Sequence, residues 1–151
     1  MNRAFELYEK AASQGHEMAQ FNLGVAFHNG RGVKQNIVEA VKYYEKAAIQ
    51  GHPDAQYNLG VLYFQGIGVD QSYELALEWF QKAAEQGESL AQCNLGVIYR
   101  DGIGVSQSDS EAIRWFALAK AQGCLEAQSG IDEILKSRHR SNYTGESISC
   151  A

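Results

Sequence analysis

The chain repeats itself every 36 residues, and that period decides what it can fold into. Gly15, Gly51, Gly87 and Gly123 stand at this interval. So do Gly24, Gly60 and Gly96, then Gly30, Gly66 and Gly102, and Gly32, Gly68 and Gly104. Val33, Val69 and Val105 follow in register, as do Gln35, Gln71 and Gln107. Alanine recurs at 19, 55, 91 and 127, with glutamine beside it at 20, 56, 92 and 128. Chance does not align so many columns. The chain is a tandem array, a form in which each supersecondary unit buries its apolar face against the next.

Each unit holds two helix patterns. Ala55, Leu59, Leu62 and Tyr63 fall at i, i+4, i+7 and i+8, one helical face, with copies at Ala19, Leu23, Ala26, Phe27 and at Ala91, Leu95, Ile98, Tyr99. Ala76, Trp79, Phe80 and Ala83 fall at i, i+3, i+4 and i+7, with copies at Ala40, Tyr43, Tyr44, Ala47 and at Ala112, Trp115, Phe116, Ala119. No useful stretch alternates with period two, so the expected class is all-α. Gly51, Gly87 and Gly123 sit where a helix C-terminus needs a left-handed residue. Pro53 falls just inside the next helix, where its missing N–H is not needed. The Gly66-Ile67-Gly68-Val69 type of segment makes the longer turn between the two helices. Gly60 and its copies lie inside a helix, where glycine costs about 1 kcal/mol against alanine. A cost repeated in every unit implies a gain. The expectation is that two helices approach closely there, with small alanines opposite.

The strings AQYNLGVLYFQGIGV and ALEWFQKAAEQG resemble the Sel-one-like repeat (SLR) family, relatives of tetratricopeptide repeats, over residues 1–135. The resemblance implies a right-handed α-α solenoid of 36-residue helix-turn-helix repeats. In that family's phasing the full repeats are 17–50, 53–86 and 89–122. Residues 1–14 then form a half repeat, and 125–136 a terminal helix. Two departures suit terminal units: Asp132 replaces the helix glycine, and Leu7 stands where others have tyrosine or tryptophan. Residues 137–151 are polar and aperiodic, and are expected to be a mobile tail.

Several function classes fall away. A net charge of -5 repels phosphate backbones, which disfavours nucleic acid as a partner. The longest apolar stretch, Leu59 to Phe64, is far too short for membrane insertion. The start shows acidic residues in place of a secretory apolar run, so a cytoplasmic location is expected if Met1 is the natural start. Cys93, Cys124 and Cys150 are odd in number and irregular in spacing, and read as reduced thiols. A cysteine-rich branch of the resembled family is associated with penicillin binding, but Cys93 and Cys124 lack its spacing and no S-x-x-K string occurs.

Sharper chemistries have plainer readings. Gly66-Ile67-Gly68 lacks the third glycine of a dinucleotide fingerprint and recurs as a turn. His16-Glu17 begins a zinc-protease-like string, but Gln20 stands where the second histidine must be. His16, His52, Glu88 and Cys124 share a repeat position, too far apart for one metal, and read as loop residues near a helix end. Trp79-Phe80 and Trp115-Phe116 have core spacing, and Lys10, Lys46 and Lys82 form a solvated column. Asn142-Tyr143-Thr144 has the form of a glycosylation string and is expected to be idle. No catalytic residue, metal site or cofactor is expected.

What remains is binding. In tetratricopeptide-like arrays the first helices line the inner surface, and the resemblance maps three ligand-facing columns onto this chain. One holds Phe21, Tyr57, Cys93 and Ser129; another His28, Phe64, Arg100 and Lys136. The third, Val25, Val61, Val97 and Glu133, is nearly constant and is expected to be the floor. Asn29, Gln65 and Asp101 add polar contacts beside them. Aromatics and arginine dominate binding hot spots, so the expected partner is a protein or peptide with an apolar anchor and an acidic group. Three alternatives stay open. Phe21 and Tyr57 could simply pack against adjacent helices, with Cys93 a small apolar filler. The same surface could serve a small enzyme. The chain could also self-associate through its N-terminal end.

Overall fold

The computed structural model describes residues 3–149, with side chains through residue 142. Eight helices make up the described residues, and no strand occurs among them. They are α1 (Arg3–Ser13), α2 (Glu17–Asn29), α3 (Ile37–Ile49), α4 (Pro53–Gln65), α5 (Tyr73–Glu85), α6 (Ser89–Asp101), α7 (Asp109–Ala121) and α8 (Leu125–Ser149). The chain divides into two compact units, residues 1–88 and 89–151.

In the first unit consecutive helices pack as antiparallel neighbours, α1 on α2, α2 on α3, α3 on α4 and α4 on α5. Local chemistry sets where each helix begins and ends. Asn36 and Ser72 take extended backbone and accept the Glu39 and Leu75 N–H groups at 3.2 and 3.1 Å, satisfying donors that a helix start leaves unpaired. Pro53 occupies the first turn of α4. Gly66 ends α4 in the left-handed region (φ 68°), and its N–H returns to the Leu62 carbonyl.

The core of this unit runs through Leu23, Leu59, Tyr44, Phe80 and the alanines at 40, 47, 55, 76 and 83, all nearly or fully buried. Its seam corrects one expectation. What lies over the mid-helix glycine is an aromatic ring, not an alanine. A methyl group added to Gly60 would stand 2.7 Å from Phe80 Cδ1, and one added to Gly24 would stand 2.5 Å from Tyr44 Cδ1. The alanines flank the ring on the same helix face. Trp79, expected in the core, is only half-buried, with the Lys82 ammonium 4.7 Å from its ring centroid. Lys46 sits likewise 5.2 Å from the Tyr43 ring, so this lysine column covers aromatic surface as well as facing water.

The repeated glutamines form a buried amide relay. Gln20 and Gln56 are 5% and 4% exposed, depths at which an unpaired amide would be costly. Gln50 Nε2 donates to Gln20 Oε1 at 2.6 Å, and Gln86 Nε2 donates to Gln56 Oε1 at 2.8 Å. Gln56 Nε2 in turn donates to the Ala48 carbonyl at 3.1 Å. Each relay ties one repeat's first helix to the helix ends around it.

In the second unit α6 packs on α7, and α8 packs on α7 and α6. Phe116 and Trp115 are 1% and 3% exposed, and Phe116 packs with Ala112, Ala119, Ala127 and Ile134. The Phe116 ring covers Gly96 on α6, and it also covers Gly130, where an added methyl would meet Phe116 Cζ at 2.6 Å. Gln122 Nε2 donates to Gln92 Oε1 at 2.9 Å, repeating the amide relay. Where the sequence suggests a terminal helix ending at 136, α8 continues to Ser149. Residues 131–144 contain no glycine or proline to stop it, and Arg138 ties its flank to Asp109 at 3.4 Å. Met1, Asn2, Cys150 and Ala151 lie outside the described residues, as do the side chains of Tyr143 and Thr144 in the glycosylation-type string.

Candidate functional site

In the first unit the predicted contact residues sit on α2 and α4. Phe21, Val25 and His28 on α2, and Tyr57, Val61 and Phe64 on α4, are all half-buried, and Gln65 is exposed. Each aromatic leans one face on the scaffold. Phe21 stacks on the His52 ring, with centroids 4.5 Å apart and planes 21° apart, and lies 5.9 Å from Tyr44. Tyr57 tilts against Phe80 at 5.9 Å. Phe64 meets Tyr73 at 5.0 Å and Phe80 at 6.5 Å. The Phe80 ring therefore covers Gly60 from above and supports both Tyr57 and Phe64.

The polar members are also tied down. His28 Nδ1 lies 3.1 Å from the Tyr44 hydroxyl, and its backbone carbonyl accepts from Gln35 Nε2 at 2.8 Å. Burial pushes the Tyr44 phenol up to about 12, against the opposing pull of a hydrogen bond with Asn58. His52 lies just outside the start of α4, as its spacing suggests, but it is buried. It is 6% exposed, and its Nδ1 accepts the Ala55 N–H at 3.2 Å as the cap of α4. His16, in the same column, is exposed and makes no such cap. Val25 lines a separate cavity of about 250 Å³ with Phe5, Tyr8, Asn22 and Arg31.

In the second unit Cys93, Val97 and Arg100 lie along α6, each half-buried. Cys93 Sγ stands 2.9 Å from Cys124 Sγ, and the two are free thiols. Both residues, with Val97, line a cleft of about 240 Å³. Arg100 is not the open cation that the sequence suggests. Its Nη1 lies 2.8 Å from Glu133 Oε2 and its Nε lies 3.0 Å from Asp101 Oδ1. The Asp101 hydrogen bond, outweighing the burial that opposes it, holds the guanidinium above its usual range. Glu133, expected on the floor column, is instead this arginine's partner. The nearby cleft of about 510 Å³ is correspondingly polar, lined by Asp109, Gln107 and Ser137 beside the ion pair.

Among the described residues no three histidines, cysteines or acids converge as metal ligands, and no helix is long and apolar enough to cross a membrane. The residue that sequence reasoning underrated is Cys124. The available signal was that Cys124 stands 31 residues after Cys93, the same offset that separates Phe21 from His52.

Comparison with known proteins matches the Sel1 repeat to residues 1–16, 17–52, 53–88 and 89–124. A protective antigen of uropathogenic Escherichia coli displaying an SLR fold is 39% identical with a TM-score of 0.79; the match covers 81% of this chain and 26% of the antigen. A Sel1 repeat protein from Oxalobacter formigenes is 37% identical with a TM-score of 0.79, over 85% of this chain and 53% of that one. Cysteine rich protein B of Helicobacter pylori shares the fold at 20% identity and a TM-score of 0.67. The chain thus spans about a quarter of the antigen and about half of the Oxalobacter protein. No curated protein sequence matches it significantly.

Proposed function

The chain belongs to the Sel1 repeat family, and from that premise we propose that it is a noncatalytic scaffold holding a protein or peptide partner on its first helices. The observation that carries the proposal is the pair Tyr57 and Phe64 on α4, each half-exposed and each braced on Phe80. They stand at i and i+7, on one helix face, with Val61 between them. An aromatic already held by its neighbours loses little rotamer freedom when a partner covers it, so more of its burial appears as affinity. Phe21, Val25 and His28 on α2 and Gln65 at the end of α4 extend the same proposal within the first unit.

In the second unit Cys93, Val97 and Arg100 on α6 carry it separately. An acidic group of the partner would there compete with Glu133 for Arg100 instead of meeting a free charge. The apolar anchor is accordingly the stronger half of the expected partner.

Site-specific photocrosslinking tests the proposal without disturbing the core. A photoreactive phenylalanine analogue replaces Tyr57 in one variant and the exposed Glu78 of α5 in another. The expected result is a discrete protein adduct from position 57 and none from 78. Equal adducts from both positions, or none from 57 in cells that contain the partner, would overturn the assignment.

A further inference from the structure

We propose that Cys93 and Cys124 form a reversible dithiol–disulfide site in the second unit, oxidised by low-molecular-weight disulfides of the glutathione class. Cys93 stands in the column of Phe21, and Cys124 in the column of His52, each 72 residues on. In the first unit the packing brings that pair into ring stacking at 4.5 Å. The same packing in the second unit brings two sulfurs to 2.9 Å. The scaffold holds these two positions face to face, and here it holds two thiols.

The pair is within reach of small molecules. Both residues are half-exposed and line the cleft of about 240 Å³, whose other walls are Leu90, Asn94, Val97 and Glu126. The two sulfurs differ in setting. Burial and the neighbouring Cys124 push the Cys93 thiol up to about 12, so it holds its proton. Cys124 lies in the turn immediately before α8, and its thiol donates to the Glu126 carboxylate at 3.3 Å. The firmly held proton of Cys93 assigns that sulfur the second attack and leaves the first to Cys124.

The chemistry balances as ordinary exchange. The Cys124 thiolate attacks one sulfur of R–S–S–R, forming a mixed disulfide and releasing R–S⁻. The Cys93 sulfur then attacks Cys124 Sγ, displacing the second R–S⁻ and closing the Cys93–Cys124 bond. The two thiol protons end on two R–SH. Two protein thiols are oxidised and one small disulfide is reduced. The new bond joins residues 31 apart and ties α6 to the turn before α8. Constraining the unfolded chain in this way raises the melting temperature.

The test uses the full-length chain with Cys150→Ser, which leaves only this pair. It is equilibrated in reduced and oxidised glutathione at several ratios, quenched with an alkylating agent, and read by intact mass, peptide map and thermal melt. The expected product is a monomer two hydrogens lighter, with a peptide linking Cys93 to Cys124 and a melt several degrees higher, all reversed by dithiothreitol. In Cys93→Ser with Cys150→Ser the reaction should stop at one glutathione on Cys124. Two freely alkylated thiols under oxidising ratios, or oxidation that yields only dimers or glutathione adducts when both cysteines are present, would overturn the proposal.

Discussion

Gly60→Leu is expected to destabilise the chain by about 3 kcal/mol, the upper part of the range for overpacking a closed site. For a chain of this length that lowers the melting temperature by roughly 6–12 °C. Two effects oppose each other at this position. Any side chain in place of glycine gains up to about 1 kcal/mol of helix propensity. Against that, the first added carbon already stands 2.7 and 2.8 Å from Phe80 Cδ1 and Cε1, and the ring is 2% exposed with nowhere to swing. The clash therefore wins, and leucine adds three more carbons to it. A further signature separates a specific clash from general damage. Phe80→Ala should cost less in the Gly60→Leu background than alone, because the smaller side chain makes room. Melts of the two single variants and the double variant, followed by circular dichroism, read the coupling directly. Additive losses would mean that the ring and the glycine do not meet.

Phe116→Ala should be the more damaging change in the second unit, at about 3–5 kcal/mol. The ring is 1% exposed and is covered on two sides, by Gly96 of α6 and Gly130 of α8. On those two sides the glycines carry no side chain that could collapse into the space. The void stays open, and the lost dispersion contacts add to the lost apolar transfer. Urea titration should show a lower midpoint with an unchanged slope. A loss near 1 kcal/mol would show that the three helices do not converge on this ring.

Much of this architecture was legible before any coordinates. The 36-residue columns located the helix faces, and the helix glycines announced a close approach, because only a repeated gain accounts for a repeated cost. Which residue approaches was hidden. Phe80 shares its face with Ala76 and Ala83, and periodicity names a face, not the side chain that reaches across it. The Gln20, Gln56 and Gln92 column was visible as a repeat but not as a relay, since each partner amide lies 30 residues away. His16 and His52 share one column, yet only His52 is buried, because Phe21 stacks on it.

The candidate site was read less fully. Arg100 looked like an available cation, and the adjacent Asp101 was in plain view. Glu133, 33 residues away, closes the ion pair only once α8 folds back on α6. Phe21 and Tyr57 were read either as contact residues or as packing, and Phe64 as a contact residue. They are anchored on one side and partly exposed on the other, a combination that a helical pattern cannot express. Half-burial depends on the ring of the next helix, not on spacing within their own.

Loss of capture by surface variants of α4 tests the scaffold reading most directly. Tyr57→Ala with Phe64→Ala, and separately the fully surface change Gln65→Arg beside them, should keep the native helical circular dichroism. Against the protein that crosslinks from position 57, calorimetric affinity should fall by about 30-fold or more for the aromatic pair, the loss expected of a hot spot worth 2 kcal/mol. Affinity within a factor of two of the unaltered chain in both variants, with folding intact, would contradict the claim that these first helices hold the partner.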